Sequence, residues 1–114
     1  MARRARVICA SAALPESGDG VRFEIERAGE RMSAFAIRFA GEAHAYLNRC
    51  AHVGVELDWE PGKFFDSEGL LLICSSHGAL YDPATGACLG GPCRGGGLEK
   101  LAVDERDGEV RLKE

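Results

Sequence analysis

Long apolar runs are missing from this 114-residue chain: none approaches the roughly 18 residues that a membrane-spanning helix needs. Positive charge is short as well. Lys and Arg total 14 against 18 Asp and Glu, for a net charge of −4. No basic patch interleaved with aromatics is present, which argues against a nucleic-acid binder. There are no internal repeats and no low-complexity tract beyond Gly95-Gly96-Gly97. No segment sustains a helical period, although Val55 to Phe65 has room for a turn or two. The opening Met1 to Arg6, followed by Val7 to Leu14, imitates a secretory signal only superficially. Its apolar part is short, is interrupted by Ser11, and lacks a clear small-residue cleavage site before Pro15-Glu16. A first strand running into a loop is expected there instead. The five cysteines are an odd number, poor arithmetic for a disulfide framework.

What is present reads as β structure in one domain, residues 1–114, a common domain size that supports a core without staples. Val21, Phe23 and Ile25 alternate with Arg22, Glu24 and Glu26, the period of a half-buried strand. Arg27 to Glu30 reads as a turn, and Met32 to Phe39 as a strand of less clean alternation ending at Ala40-Gly41-Glu42. Ala43 to Leu47 and the apolar run Leu70 to Ile73 are further strands. Near the end, Leu98 to Val103 and Glu109 to Leu112 flank Asp107-Gly108, a strong two-residue hairpin signal.

Chemistry is concentrated in two short motifs. Cys50-Ala51-His52 is followed, after 21 intervening residues, by Cys74-Ser75-Ser76-His77. Each contributes one thiolate and one imidazole. Thiolates suit iron–sulfur clusters and imidazole suits zinc, copper or iron. Two Cys and two His are also the set in which two His replace two Cys on one iron of a [2Fe–2S] cluster.

The resemblance extends beyond those four residues. Asn48 to Gly54 (NRCAHVG) and Cys74 to Asp82 (CSSHGALYD) resemble the two cluster-binding loops of Rieske ferredoxins, and Thr85-Gly86 and Gly90-Gly91-Pro92 resemble the turn and the proline loop that folds over the cluster. The likeness runs from about Ile8 to about Lys113. It implies an all-β fold: an antiparallel β-sandwich or barrel base, residues 1–47 and 84–114, with an inserted cluster-binding tip, residues 48–83. It implies one Rieske [2Fe–2S] cluster, held by Cys50 and Cys74 on one iron and by His52 and His77 on the other, with Tyr81, Gly91 and Pro92 around it. It further implies a soluble, cytoplasmic, monomeric electron carrier rather than an enzyme. Such a carrier passes single electrons from a flavoprotein reductase to a terminal oxygenase or similar acceptor, and binds neither nucleic acid nor membrane. The negative charge suits docking to a basic face of a redox partner.

Replacing two thiolates by neutral imidazoles makes electron uptake easier, which places Rieske centres at roughly −150 to +300 mV against roughly −400 mV for plant-type ferredoxins. Within the family, high-potential members carry a disulfide between the two loops. Its positions correspond to Val55 and Ser76, so that bond is absent. They also place a serine two residues after the second His, where this chain has Ala79, and a tyrosine matched here by Tyr81. Hydrogen bonds to sulfur favour the reduced cluster. With one of three such devices present, a potential in the lower part of the range is expected.

Other residues read more plainly. Cys9 is a small buried hydrophobe in a strand. Cys88 and Cys93 flank Leu89 to Pro92; packing residues are expected, with a disulfide clipping the loop as the other reading. His44 is a strand histidine with a satisfied hydrogen bond, outside the ligand motifs. Trp59, Phe64 and Phe65 are expected to pack under the tip rather than to form a docking surface. Asp82 and Thr85 stabilise turns through side-chain bonds to backbone, and Gly78 and Gly86 serve backbone geometry. Two alternatives stand beside the electron carrier. One is a Rieske-type small subunit of a redox enzyme such as nitrite reductase; several of those lack the ligands that are all present here. The other is a zinc-binding structural domain using the same four residues, against which the alternating Cys–His order counts.

Overall fold

The computed structural model describes residues 6–27, 29–49, 56–58, 60, 62–74, 78–91 and 96–113. Among the described residues ten strands and one 3-10 turn (Ser11–Ala13) follow in order: β1 (Arg6–Ala10), β2 (Val21–Arg27), β3 (Glu30–Phe39), β4 (Glu42–Leu47), β5 (Leu72–Ile73), β6 (Leu80–Tyr81), β7 (Cys88–Gly90), β8 (Lys100–Leu101), β9 (Val103–Arg106) and β10 (Glu109–Leu112). They form three antiparallel sheets, ordered β1-β10-β9, β2-β3-β4-β8 and β5-β6-β7. The all-β, antiparallel expectation is met.

The β2-β3-β4-β8 sheet lies between two cores. Along β3 the side chains alternate between them: Phe35 and Ile37 join Tyr46, Leu57, Phe64, Leu72, Cys74 and Tyr81, whereas Ala34 and Ala36 join Ala45, Leu47, Leu101 and Val110. This explains why the sequence of β3 alternates poorly. With both faces covered, Ala34 to Ile37 are all fully buried, so apolar residues are required on both sides. On β2 one side faces solvent, and Ile25 is buried while Arg22, Glu24 and Glu26 are exposed.

Two strand expectations need correction. Leu70 to Ile73 is not one strand: only Leu72 and Ile73 are extended, and Leu70 is exposed. The Asp66 carboxylate accepts the amides of Leu70 and Leu71, and the Asp66 amide donates to the Leu71 carbonyl, closing a turn where the apolar run suggests extended chain. Leu98 to Val103 is likewise divided. Lys100–Leu101 pairs with β4, while Val103 begins β9 and pairs with β10. No Gly or Pro marks this change of partner, which tertiary packing dictates. The Asp107-Gly108 hairpin forms as expected, with both residues at positive φ (53° and 75°).

Arg38 ties the sheets together. Its guanidinium donates to the carbonyls of Ser11 and Leu14 and forks onto Glu105 of β9 at 2.6 and 3.1 Å. The hydrogen bond with Glu105 holds Arg38 above, and Glu105 below, their ordinary pKa.

Candidate metal centre

Strand β5 delivers Cys74, which is fully buried. Its amide donates to the Ala79 carbonyl (2.9 Å) and its carbonyl accepts the Gly78 amide (2.9 Å). The second motif is therefore closed at its base as a tight loop, with Gly78 at φ 75°. Beyond it, β6 carries Tyr81, fully buried and paired in register with Leu72. Tyr81 lies in the β5-β6-β7 sheet, and Cys74 and Gly91 directly follow its strands β5 and β7, whereas Cys50, His52, His77 and Pro92 lie outside the described residues.

The proline loop begins where β7 ends. Gly91 sits at φ 79°, and a Cβ there would stand 2.9 Å from both Ala79 Cα and the Gly78 carbonyl oxygen. Only glycine permits this approach of the loop to the second motif. The turn before β7 is built as expected. Asp82 Oδ1 accepts the Ala84 and Thr85 amides, Thr85 Oγ1 accepts the Ala87 amide, and the Gly86 amide donates to the Asp82 carbonyl.

At the foot of the first motif stands a polar network that sequence reasoning did not single out. Asn48 is 3% exposed; its Oδ1 accepts the Leu57 amide (2.8 Å) and its Nδ2 donates to Asp58 Oδ1 (2.9 Å). Asp58, whose side chain is wholly buried, also accepts the Gly62 amide (2.9 Å) and lies 3.6 Å from Arg22 Nε. The one signal available in the sequence is an Asn two residues ahead of the first motif's Cys, with an Asp ten residues on.

Phe64 stacks on Phe35 at 3.9 Å between centroids, and Phe65 faces Phe39 at 6.2 Å, so both pack as expected; Trp59 lies outside the described residues. Cys9 is half-buried against the second core, and burial raises its thiol pKa. Cys88 is disulfide-bonded, which corrects the expectation of a plain packing residue.

His44 is nearly buried, with Lys100 Nζ at 3.2 Å from its Nδ1. Lys100 also donates to the Ala84 carbonyl and lies over the Tyr46 ring, while the Tyr46 hydroxyl donates to the Pro83 carbonyl (2.6 Å). Burial, then the Lys100 charge, lowers the His44 pKa from 6.5 against the weaker pull of Glu42 and Asp82. A base whose folded pKa is depressed stabilises the fold above its unfolded value, and that stability is lost as pH falls below about 6.5. Replacing His44 by glutamine is therefore expected to flatten the fall in melting temperature below that pH. Parallel thermal melts of the two proteins across pH 5 to 7.5 measure it, and identical slopes would refute it.

Three antiparallel sheets, a buried cysteine at the end of β5, and Gly91 set close against Gly78 and Ala79 define a small all-β domain. The chain belongs to the Rieske [2Fe–2S] domain family, whose profile matches residues 5–104. No curated protein sequence matches it. Among solved structures it is similar to the Sphingomonas yanoikuyae B1 ferredoxin, at 22% identity and TM-score 0.75, covering 97% of this chain and 99% of that one. It is also similar to the ferredoxin of carbazole 1,9a-dioxygenase from Nocardioides aromaticivorans IC177, at 20% identity and TM-score 0.72, covering 96% of each chain. A third likeness, at 20% identity and TM-score 0.74, is to a complex of reduced oxygenase and oxidized ferredoxin in carbazole 1,9a-dioxygenase, covering 98% of this chain and 94% of that one. These likenesses confirm the fold.

Membership makes the cofactor one [2Fe–2S] cluster of Rieske type. The residues fit it: the two motifs carry two thiols and two imidazoles, Cys74 is shielded from water, and the space at Gly91 admits no side chain.

Proposed function

We propose that this protein is a soluble, monomeric, cytoplasmic Rieske ferredoxin that carries single electrons from a flavoprotein reductase to a terminal oxygenase or similar acceptor. In this reading Cys50 and Cys74 hold one iron and His52 and His77 the other. Tyr81, Gly91 and Pro92 surround the cluster, and the tip spans residues 48–83 on a base formed by 1–47 and 84–114. The observation that carries it is that a family profile spanning nearly the whole chain coincides with a complete set of two Cys and two His. Support also comes from the Sphingomonas yanoikuyae B1 ferredoxin and the ferredoxin of carbazole 1,9a-dioxygenase, which it matches over almost the full length of both chains. When bound, the cluster accepts and gives up one electron; the chain supplies its ligands and its shielding from water. No helix among the described residues is long and apolar enough to cross a membrane. The test is reduction by NADH through an added flavoprotein ferredoxin reductase, followed by oxidation with cytochrome c. Catalytic turnover is expected, and a cluster that dithionite reduces but no protein donor or acceptor exchanges with would contradict the carrier role.

The same reading places the potential in the lower part of the Rieske range. Ala79, fully buried, offers no hydroxyl to the cluster. Ala79→Ser is expected to raise the midpoint by about 40–60 mV, the one-electron equivalent of a hydrogen bond worth about 1–1.5 kcal/mol. Redox titration followed by visible absorption measures the shift, and an unchanged or lowered midpoint would remove Ala79 from the explanation.

A further inference from the structure

The Asn48–Asp58 network brackets a stretch of chain that contains half of the cluster motifs. Asn48 is the first residue after β4, and its backbone amide donates to the Ser33 carbonyl (2.9 Å), so it is fixed to β3. Its carboxamide then crosses to the far side of the segment, bonding Leu57 and Asp58. Asp58 in turn holds Gly62, whose carbonyl accepts the Gly20 amide (2.8 Å) ahead of β2. Both feet of residues 49–56, which include Cys50 and His52, are thereby anchored to the same sheet.

The chemistry of this anchor is costly for stability alone. Burying a carboxylate carries a penalty of several kcal/mol, and well-packed apolar residues commonly do as well or better. Here the carboxylate receives Nδ2 of Asn48, the amide of Gly62 and the nearby guanidinium of Arg22, itself paired with Glu56 at 2.6 Å. What such a network supplies that an apolar contact does not is direction: each donor and acceptor fits in one arrangement only.

We infer that Asn48 and Asp58 are positioning residues, a buried clamp that holds the first loop in its metal-binding shape and thereby controls how long the cluster is retained. The inference rests on the reading of Cys50 and His52 as ligands. Asn48→Asp keeps the acceptor toward Leu57 but sets two carboxylate oxygens against each other. The exchange Asn48→Asp with Asp58→Asn restores a donor facing an acceptor, with polarity reversed.

The experiment measures cluster loss from each holoprotein in excess chelator by the decay of visible absorption, beside the melting temperature of the apoprotein and the linewidth of the reduced resonance spectrum. N48D is expected to lose its cluster about 10-fold faster than wild type, the scale at which residues supporting metal ligands act, with a broadened spectrum. The exchange variant is expected to return close to the wild-type rate, as coupled partners do in a double-mutant cycle. Wild-type retention in both single variants overturns the clamp, and so does an exchange variant no better than the worse single one. Faster loss that only tracks a lowered apoprotein melting temperature, with an unbroadened spectrum, also overturns it, because that is a purely structural role. Should N48D not fold, D58N decides by the same criteria. A wild-type protein that holds no cluster at all would instead fail the ligand reading beneath it.

Discussion

Replacing Cys74 by alanine is expected to yield a folded protein that purifies colourless, with only background iron. Cys74 is fully buried at the end of β5, and both of its backbone hydrogen bonds, to Gly78 and Ala79, survive the substitution. Cysteine behaves in a core as a small hydrophobe, so alanine costs the fold only about 1 kcal/mol of apolar contact. The metal, by contrast, loses one of the two thiolates that the paired motifs offer. Iron content and far-ultraviolet circular dichroism separate the two effects. A C74A protein that keeps stoichiometric iron and sulfide would remove Cys74 from the ligand set.

The second large effect is expected at Gly91. Alanine there must adopt a left-handed backbone at φ 79°, a strain of roughly 1–2 kcal/mol. It must also place a Cβ 2.9 Å from backbone atoms of Gly78 and Ala79, closer than such atoms approach in folded proteins. Overpacking of this kind typically costs 1–3 kcal/mol. A total of about 3 kcal/mol corresponds to a fall of roughly 10 °C in melting temperature for a domain of this size. Gly41 is the internal comparison: φ is 81°, but nothing lies within 4 Å of its Cβ position. G41A therefore isolates the backbone strain and is expected to cost less than half as much as G91A. Equal losses in the two variants would show that the contact with the second motif contributes nothing.

How much of this was legible in the sequence depends on what sort of interaction made each feature. The two motifs, the Asp107-Gly108 hairpin and the alternation of β2 are local, and each was readable directly. Asp82, Thr85 and Gly78 belong to turns whose side-chain chemistry is equally local, and the structure places them as that chemistry requires. What escaped was decided at long range. The run Leu98 to Val103, with no Gly or Pro to break it, gives no hint that Val103 leaves β4's sheet for β10. Leu70 and Leu71 look like strand because nothing apolar betrays that the Asp66 carboxylate has captured their amides. A plain packing residue is expected at Cys88, partly because a reducing cytosol disfavours disulfides, yet it is disulfide-bonded. The Asn48–Asp58 pair, ten residues apart and bracketing a ligand motif, is the clearest case. Polar residues beside a loop usually face water, and only the burial of both side chains reveals that they are structural.

Whether the chain holds a Rieske cluster is tested by absorption and electron paramagnetic resonance spectra of the purified protein before and after dithionite. A brown oxidised protein is expected, with two irons per chain and the two imidazoles ligating one of them. It bleaches on reduction to a rhombic signal whose average g value lies below that of the free electron. A colourless protein carrying stoichiometric zinc, even when produced anaerobically with iron supplied, would contradict it and leave a structural metal domain in its place.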